Sequence, residues 1–242
     1  MSNMLFSSIL FSIITILYSV VNYFTSKDSK KTNTKLLLSI YLVCVLVSQF
    51  FINLKSTQNI CGTNQPTMAI MITLVPWVFI FGSLILLLTL FPGWKSPFSN
   101  TFGYILAKIM GIQEVFNNIL VSDSKNEMLA KLYEDNSLML NEITPSNFED
   151  FWIHFTKSNL LNKTANTYKN QLFNLVKMKD VVSETIWYLL SGNIILSVGE
   201  NYLTNMTCRK SVTTMKDQHE EWEEEKNKTD KTVSRKTYFV RD

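Results

Sequence analysis

Residues 56–94, STQNICGTNQPTMAIMITLVPWVFIFGSLILLLTLFPGW, contain no Asp, Glu, Lys or Arg. An α-helix rises about 1.5 Å per residue, so roughly 20 apolar residues are needed to cross a hydrocarbon core of about 30 Å. The central residues 68–91 meet this length, and Pro92 and Gly93 then favour the end of a helix. The stretch therefore predicts a membrane-spanning helix with an abrupt exit.

Two further apolar segments precede this helix. Residues 5–24 and 36–54 are each long enough to cross a bilayer. Isolated spans must be helical, because lipid offers no partner to backbone N–H and C=O groups. Charged residues are rare before Lys95 and recur every few residues after it. We therefore predict an all-α protein with three transmembrane helices within residues 1–94, followed by a soluble part.

The charges of the connecting loops predict the orientation of these helices. Residues 25–35 contain four lysines and one aspartate, whereas residues 56–67 contain no charged residue. Short loops rich in Lys and Arg stay on the cytoplasmic side of a membrane. The amino terminus lacks the basic region and cleavage site of a signal peptide, so we expect a retained anchor that begins outside. Everything after residue 91 is then expected on the cytoplasmic side.

The second half of the chain divides into three predicted regions. Residues 95–112 are an aromatic, lightly basic turn and a short apolar segment that lies along the membrane surface. Residues 113–203 carry apolar residues at helical spacing, which predicts a soluble domain of four or five helices. Residues 204–242 form a charged tail, with a solvated helix and an extended end.

The uncharged residues 185–199 leave the topology ambiguous. They could form a fourth span, but their length falls short of a full crossing and Ser191-Gly192-Asn193 interrupts the apolar run. We therefore favour a buried core stripe of the helical domain over a fourth span. The stripe would consist of Ile186, Trp187, Leu189, Leu190, Ile194 and Val198.

Three sets of residues are candidates for contacts with other helices or other proteins. Small hydroxyl residues on one face of the first helix permit close packing in lipid, or alternatively only bond back to their own helix. These residues are Ser8, Ser12, Thr15 and Ser19. The candidates at the membrane exit are the aromatic residues Trp94, Phe98, Phe102 and Tyr104. The candidates in the tail are Trp222, Tyr238 and Phe239, the last two as a peptide or strand added to a partner.

Patterns of catalytic, cofactor and metal sites are missing from the sequence. It contains no phosphate-binding glycine loop, zinc-protease pair, nucleophile elbow or kinase motif. Two histidines and three scattered cysteines favour neither a zinc site nor a disulfide between any of Cys44, Cys61 and Cys208. The net charge of +3 is too small to indicate nucleic-acid binding. We predict no enzyme activity, cofactor, metal, nucleic-acid partner or small-molecule substrate.

Three Asn-X-Thr glycosylation sequons occur in the second half of the chain, at Asn162, Asn205 and Asn227. Chance matches are expected in a composition so rich in Asn, Lys and Thr. The predicted topology also places all three on the cytoplasmic side, where glycosylation machinery is absent. We therefore expect them to stay unmodified.

The Lys-, Asn- and Ile-rich composition and residues 91–104, FPGWKSPFSNTFGY, resemble membrane proteins of large nucleocytoplasmic DNA viruses of algae and protists. Such viruses have an internal lipid membrane beneath an icosahedral capsid, and some of their minor capsid proteins are membrane-anchored. The resemblance implies a multi-pass structural protein of the host-derived virion membrane. Its C-terminal helical domain would face the capsid, with lipid, capsid or other virion proteins, and further copies of itself as partners.

Two other functions remain open. The first is an oligomeric channel, in which several copies of the first helix line a pore with hydroxyl residues. The predicted spans carry no ionisable residue at depth, as ion pumps and proton relays would need. The second is a host or organellar membrane adaptor, which would use the same anchored domain without a viral role.

Overall fold

The computed structural model describes residues 2–25, 31–121, 134–135, 137–158, 160–208 and 212–232. Within these residues the regular structure is helical, apart from one isolated antiparallel bridge between Leu120 and Leu161. The prediction of an all-α fold is therefore confirmed for the described part of the chain.

The first three helices are α1, Ser2–Thr25; α2, Lys31–Cys61; and α3, Pro66–Leu90. Pro76 lies inside α3 and is followed by a π-helical turn at Trp77–Phe81. Proline cannot donate a backbone N–H, and a wider turn lets the helix continue past the missing hydrogen bond. The short helical turns Pro92–Lys95, Ser96–Phe98 and Ser99–Gly103 then form the exit from α3. The later helices are α4, Tyr104–Ile109; α5, Ile112–Ile119; α6, Ser137–Leu140; α7, Phe148–Lys157; α8, Ala165–Asn205; and α9, Val212–Thr232.

Four described helices, rather than the predicted three, are long and apolar enough to cross a membrane. The candidate spans are Met4–Thr25, Thr34–Cys61, Pro66–Leu90 and Ala165–Asn205. The fourth was considered but not favoured, because only the uncharged residues 185–199 were counted as a span. In the structure these residues are part of a continuous helix of 41 residues. Such a helix is about 60 Å long, roughly twice the thickness of a hydrocarbon core.

Helix α8 belongs to two separate hydrophobic cores. Its first half contributes Leu172 and Val176 to a core formed mainly with α5 and α7, which we call the helical domain. Its second half contributes Tyr188 and Ile195 to a core with α1, α2 and α3, which we call the four-helix bundle. The core stripe predicted for the helical domain at residues 185–199 is therefore wrong. Two of its members, Leu190 and Ile194, are exposed, and the buried residues of this half pack against the other candidate spans.

Pairs of hydrogen bonds fix the directions of the bundle helices. Ser7 of α1 bonds to Gln49 of α2, while Thr15 lies against Tyr41, so these two helices are antiparallel. Helix α8 is also antiparallel to α1, because Ser8 bonds to Asn193 and Ser19 bonds to Thr185. The start of α1, the connection between α2 and α3 and the end of α8 therefore share one end of the bundle. The helical domain lies at the other end.

A disulfide joins Cys61, the last residue of α2, to Cys208, which follows α8. Its Cα atoms are 5.5 Å apart. The prediction of no disulfide is therefore wrong. The pair was not predicted because the two cysteines are 147 residues apart in the sequence.

Candidate functional site

The exit from α3 is fixed onto α8 where the four-helix bundle meets the helical domain. The Trp187 indole Nε1–H of α8 donates a hydrogen bond to the Trp94 carbonyl oxygen at 2.9 Å. The Phe98 ring meets the Trp187 ring edge to face, with centroids 5.0 Å apart. The Ser183 hydroxyl donates to the Lys95 carbonyl oxygen. Trp and Tyr favour the interface between membrane and water, so this cluster has the composition of an interfacial anchor.

An ionic network lies beside these aromatic contacts. The Lys95 Nζ is 2.8 Å from an Asp180 carboxylate oxygen and 3.0 Å from a Glu184 oxygen. The second Glu184 oxygen accepts a hydrogen bond from the Tyr188 hydroxyl at 2.8 Å. Burial lowers the pKa of Lys95, but the charges of Glu184 and Asp180 outweigh it and raise the pKa above its usual value. Lys95 therefore stays protonated at neutral pH, and the network ties the exit to α8.

The exit crosses α8 at very short range at Gly103. A Cβ atom at this position would lie 2.6 Å from the Lys179 Cγ and 2.8 Å from its carbonyl oxygen. Lys179 is only 2% exposed. Its ammonium donates hydrogen bonds to the Asn100 side-chain oxygen and the Leu140 carbonyl oxygen. Glycine is thus required for the backbone of the exit to reach α8, and Lys179 links the exit, α6 and α8.

The four predicted exit residues do not form one surface. Trp94 and Phe98 are brought together by Trp187, and Phe102 contacts Phe98 with ring centroids 6.3 Å apart. Tyr104 instead packs against the core of the helical domain. Sequence reasoning missed Trp187, Lys95, Asp180, Glu184 and Lys179, because their partners are about 80 to 90 residues away in the chain.

Three of the four hydroxyl residues predicted as a packing face on α1 contact another helix. Two of the three partners lie on α8 and the third lies on α2. The contacts are Ser8 to Asn193 at 2.6 Å, Thr15 to the Tyr41 hydroxyl at 3.1 Å, and Ser19 to Thr185 at 2.6 Å. The alternative also holds, since the hydroxyls of Ser12, Thr15 and Ser19 each donate to a backbone carbonyl oxygen four residues earlier in α1. Residue numbers rise along α1 as they fall along α8, so the two helices are antiparallel.

The tripeptide Ser191-Gly192-Asn193, which interrupts the apolar run of α8, lies where α8 packs against α1. A Cβ at Gly192 would lie 2.1 Å from the ring of Phe11. Small residues allow helices in lipid to approach closely, and hydrogen bonds such as that of Asn193 join them. The tripeptide that interrupts the apolar run of α8 is therefore the place where α8 packs closely against α1.

An aromatic layer fills the middle of the four-helix bundle. Phe11 and Phe81 are fully buried, and Trp77 is nearly so. Their ring centroids are 5.1 to 6.4 Å apart, the usual range for aromatic pairs. Along α1, this layer lies between the polar contacts of Ser7 and Ser8 and those of Thr15 and Ser19. Within the described residues, these side chains occupy the space that a pore through one chain would need.

The end of the bundle near the disulfide contains a cavity of about 350 Å³. Its polar lining includes Asn53, Asn59 and Glu200, and the rest is mainly apolar. Asn53 also donates to the Thr73 hydroxyl at 2.8 Å, which links α2 to α3. Among the described residues, no group of three or more His, Cys, Asp or Glu side chains could hold a metal ion.

The tail residue Trp222 lies on α9 and is 55% exposed. The Lys226 Nζ is 5.0 Å from the centre of its ring, and the His219 ring stacks on it with centroids 6.0 Å apart. The other two predicted tail contacts, Tyr238 and Phe239, lie outside the described residues. The structure therefore gives a position for only one of the three.

Comparisons with protein-family models, curated proteins and solved structures each gave no match to this chain. What the chain does must therefore be inferred from its own contacts. The most distinctive of these is the junction formed by the exit and α8, which joins two hydrophobic cores.

Proposed function

We propose that this protein is a multi-pass membrane scaffold that links an internal virion membrane to the capsid shell through its helical domain. The observation that carries the proposal is α8, which continues without a break from the core of the helical domain into the four-helix bundle. A partner bound to the helical domain would thus be held at a fixed height and orientation above the bilayer.

The junction supports this proposal because it prevents the helical domain from rotating about α8. Lys95 pairs with two carboxylates of α8, and Trp187 contacts both Trp94 and Phe98. These contacts attach the chain to α8 a second time, just after α3 ends. A flexible tether would need neither contact, whereas a link that fixes the distance between a membrane and a shell needs both.

The resemblance to viral membrane proteins rests on residues 91–104, and these residues have a clear structural role in this chain. They contain Trp94, Lys95, Phe98 and Gly103, which together make the contacts with α8 described above. A partner that is a capsid protein, another virion protein or a second copy would bind the helical domain that this segment holds in place.

The loop charges support an orientation with the helical domain on the cytoplasmic, capsid-facing side. Residues 25–35, rich in lysine, connect α1 to α2 at the same end of the bundle as the helical domain. The uncharged connection after Cys61 lies at the opposite end, together with Cys208 and the start of the tail. The disulfide independently favours an oxidising compartment on that side. We therefore propose that the tail and the helical domain lie on opposite sides of the membrane.

The contacts of this chain support a channel less well than a scaffold. The hydroxyl residues that would line a pore are engaged in packing, and the aromatic layer of Phe11, Trp77 and Phe81 fills the bundle. A pore would therefore have to form between copies. A host or organellar adaptor would share the same rigid junction and would differ only in the protein that binds the helical domain.

Cross-linking on membranes that carry the assembled capsid would test the proposal. Exposed lysines of the helical domain, Lys157 and Lys163, should cross-link to capsid proteins, and the complex should survive removal of lipid by detergent. Exposed lysines of the tail, Lys216 and Lys226, are the matched control and should give no capsid cross-links. Capsid cross-links from the tail alone would contradict the proposal, and partners of exclusively host origin would favour the adaptor.

A further inference from the structure

We infer that Asn227 is an N-glycosylation site and that Asn162 is not. The inference rests on the proposed orientation and reverses the expectation drawn from a three-helix topology. The three sequons lie at different positions relative to α8. Asn162 precedes α8, whereas Asn205 ends it and Asn227 follows it.

The two groups of sequons lie at opposite ends of a helix about 60 Å long. The backbone N–H of Asn162 donates to the Ile119 carbonyl oxygen at 2.7 Å, which places this residue in the helical domain. Asn205 is the last residue of α8, at the disulfide end of the bundle. A bilayer around the bundle would therefore separate Asn162 from the two later sequons.

The disulfide indicates which side can be glycosylated. Disulfides form and persist in oxidising compartments such as the lumen of the endoplasmic reticulum, where glycans are also added to Asn-X-Thr sequons. Cys208 lies between Asn205 and Asn227 in the chain and bonds to Cys61. The disulfide and the lysine-rich loop are independent of each other, yet both assign the tail to the same side.

The local surroundings favour Asn227 over Asn205. The Asn205 side-chain Nδ2 donates to the Asn201 carbonyl oxygen at 2.8 Å and to its side-chain oxygen at 2.9 Å. Asn205 is also three residues before the cross-linked Cys208, at the end of a candidate span. Asn227 is exposed on α9, well beyond the disulfide. Both residues are exposed, but Asn227 lies farther along the chain from the candidate span and from the cross-link, which favours it as the residue that a transferase modifies.

The proposed modification needs an oligosaccharide donor of the lipid-diphosphate class, supplied by the host membrane. The Asn227 Nδ2 would form a bond to C1 of the first sugar while the bond from C1 to the diphosphate oxygen breaks. The lipid diphosphate leaves with the electron pair, and one amide proton passes to a base of the host transferase. No oxidation or reduction takes place.

Synthesis of the full-length chain in the presence of endoplasmic reticulum membranes tests the inference. We expect one glycan, seen as a mobility shift on gels that an endoglycosidase removes. The shift should disappear in Asn227→Gln and persist unchanged in the matched controls Asn162→Gln and Asn205→Gln. A shift that persists in Asn227→Gln, or its absence from the unaltered chain, would overturn the inference.

Protease protection on the same membranes separates failure of the site from failure of the orientation. A tail that is protected from protease but carries no glycan would refute the site and leave the proposed orientation standing. A glycan on Asn162 together with a digested tail would refute both. Neither outcome depends on capsid binding, so the scaffold proposal is tested separately by the cross-links of the helical domain.

Discussion

At the scale of single residues, stability depends on where small and charged side chains are placed in the packed interfaces. Gly192 lies directly against the Phe11 ring, and Lys95 lies between two carboxylates. The hydrophobicity pattern of the sequence would not identify either residue as part of a packed interface. Each has a control elsewhere in the chain with the same residue type in a different environment.

Gly192→Ala should destabilise the protein in detergent or lipid by about 1–3 kcal/mol, the usual cost of overpacking. The reason is that the new Cβ would lie 2.1 Å from the Phe11 ring. Gly82→Ala, in α3, is the matched control because a Cβ there meets nothing within 4 Å. Thermal unfolding of the purified variants measures the difference. Phe11→Leu should partly rescue Gly192→Ala if the ring is the cause, and equal effects of both glycine substitutions would contradict the packing.

Lys95→Met should be strongly destabilising, because it leaves Asp180 and Glu184 facing each other without a cation. Removing one partner of a buried ion pair costs about 3–5 kcal/mol. We expect about 3 kcal/mol, at the lower end, since the three side chains retain 16 to 24% exposure. Unfolding followed by Trp fluorescence would measure the loss.

The control for Lys95 is Lys169, which pairs with Glu149 at 2.7 Å. The Glu149 side chain is 72% exposed, so solvent screens this pair. Lys169→Met should therefore cost at most about 1 kcal/mol. A similar loss in both variants would show that the Lys95 network is no more important than a surface ion pair.

At the scale of helices, the sequence predicted the candidate spans that are continuous apolar runs and did not favour the one that is interrupted. The candidate spans in α1, α2 and α3 are recognisable in the sequence by their length and lack of charge. The candidate span in α8 was considered but not favoured, because Glu184 limits the uncharged run and Gly192 and Asn193 interrupt it. In the folded chain Glu184 pairs with Lys95, while the other two residues pack against α1. Such compensation between distant residues cannot be seen in one segment alone.

The cross-link between helices α2 and α8 gives a prediction at the same scale. Without reductant, thiol alkylation of the denatured chain should label Cys44 alone, because Cys61 and Cys208 are bonded to each other. With reductant, mass spectrometry should find three labels. Cys61→Ser should also lower stability by about 2–4 kcal/mol, the typical contribution of a disulfide.

The control for the disulfide is Cys44→Ser. Cys44 is exposed on the outside of α2 and forms no disulfide, so its replacement should leave the unfolding temperature within about 1 °C of the original, as for other surface substitutions. Labelling of all three cysteines without reductant would refute the cross-link. It would also remove the covalent support for a tail on the side opposite the helical domain.

At the scale of the whole molecule, α8 should make the four-helix bundle and the helical domain move as one body. Spin labels at Ile153→Cys in α7 and Ile60→Cys in α2, in a Cys44→Ser background, report the distance between the two parts. Both isoleucines are exposed, so labels should be tolerated there. We expect one narrow distance distribution in nanodiscs, measured by pulsed electron paramagnetic resonance.

Two glycines inserted between Val181 and Val182 should broaden that distribution. Each glycine weakens the helix by about 1 kcal/mol, and two extra residues rotate the second half of α8 by about 200° relative to the first. The Lys95 contacts, which span this point through Asp180 and Glu184, could then no longer form together. A broad distribution in the chain without the insertion would show that the helical domain is only tethered. A scaffold that sets a fixed distance between membrane and shell would then be excluded, because the distance would already vary before any capsid protein binds.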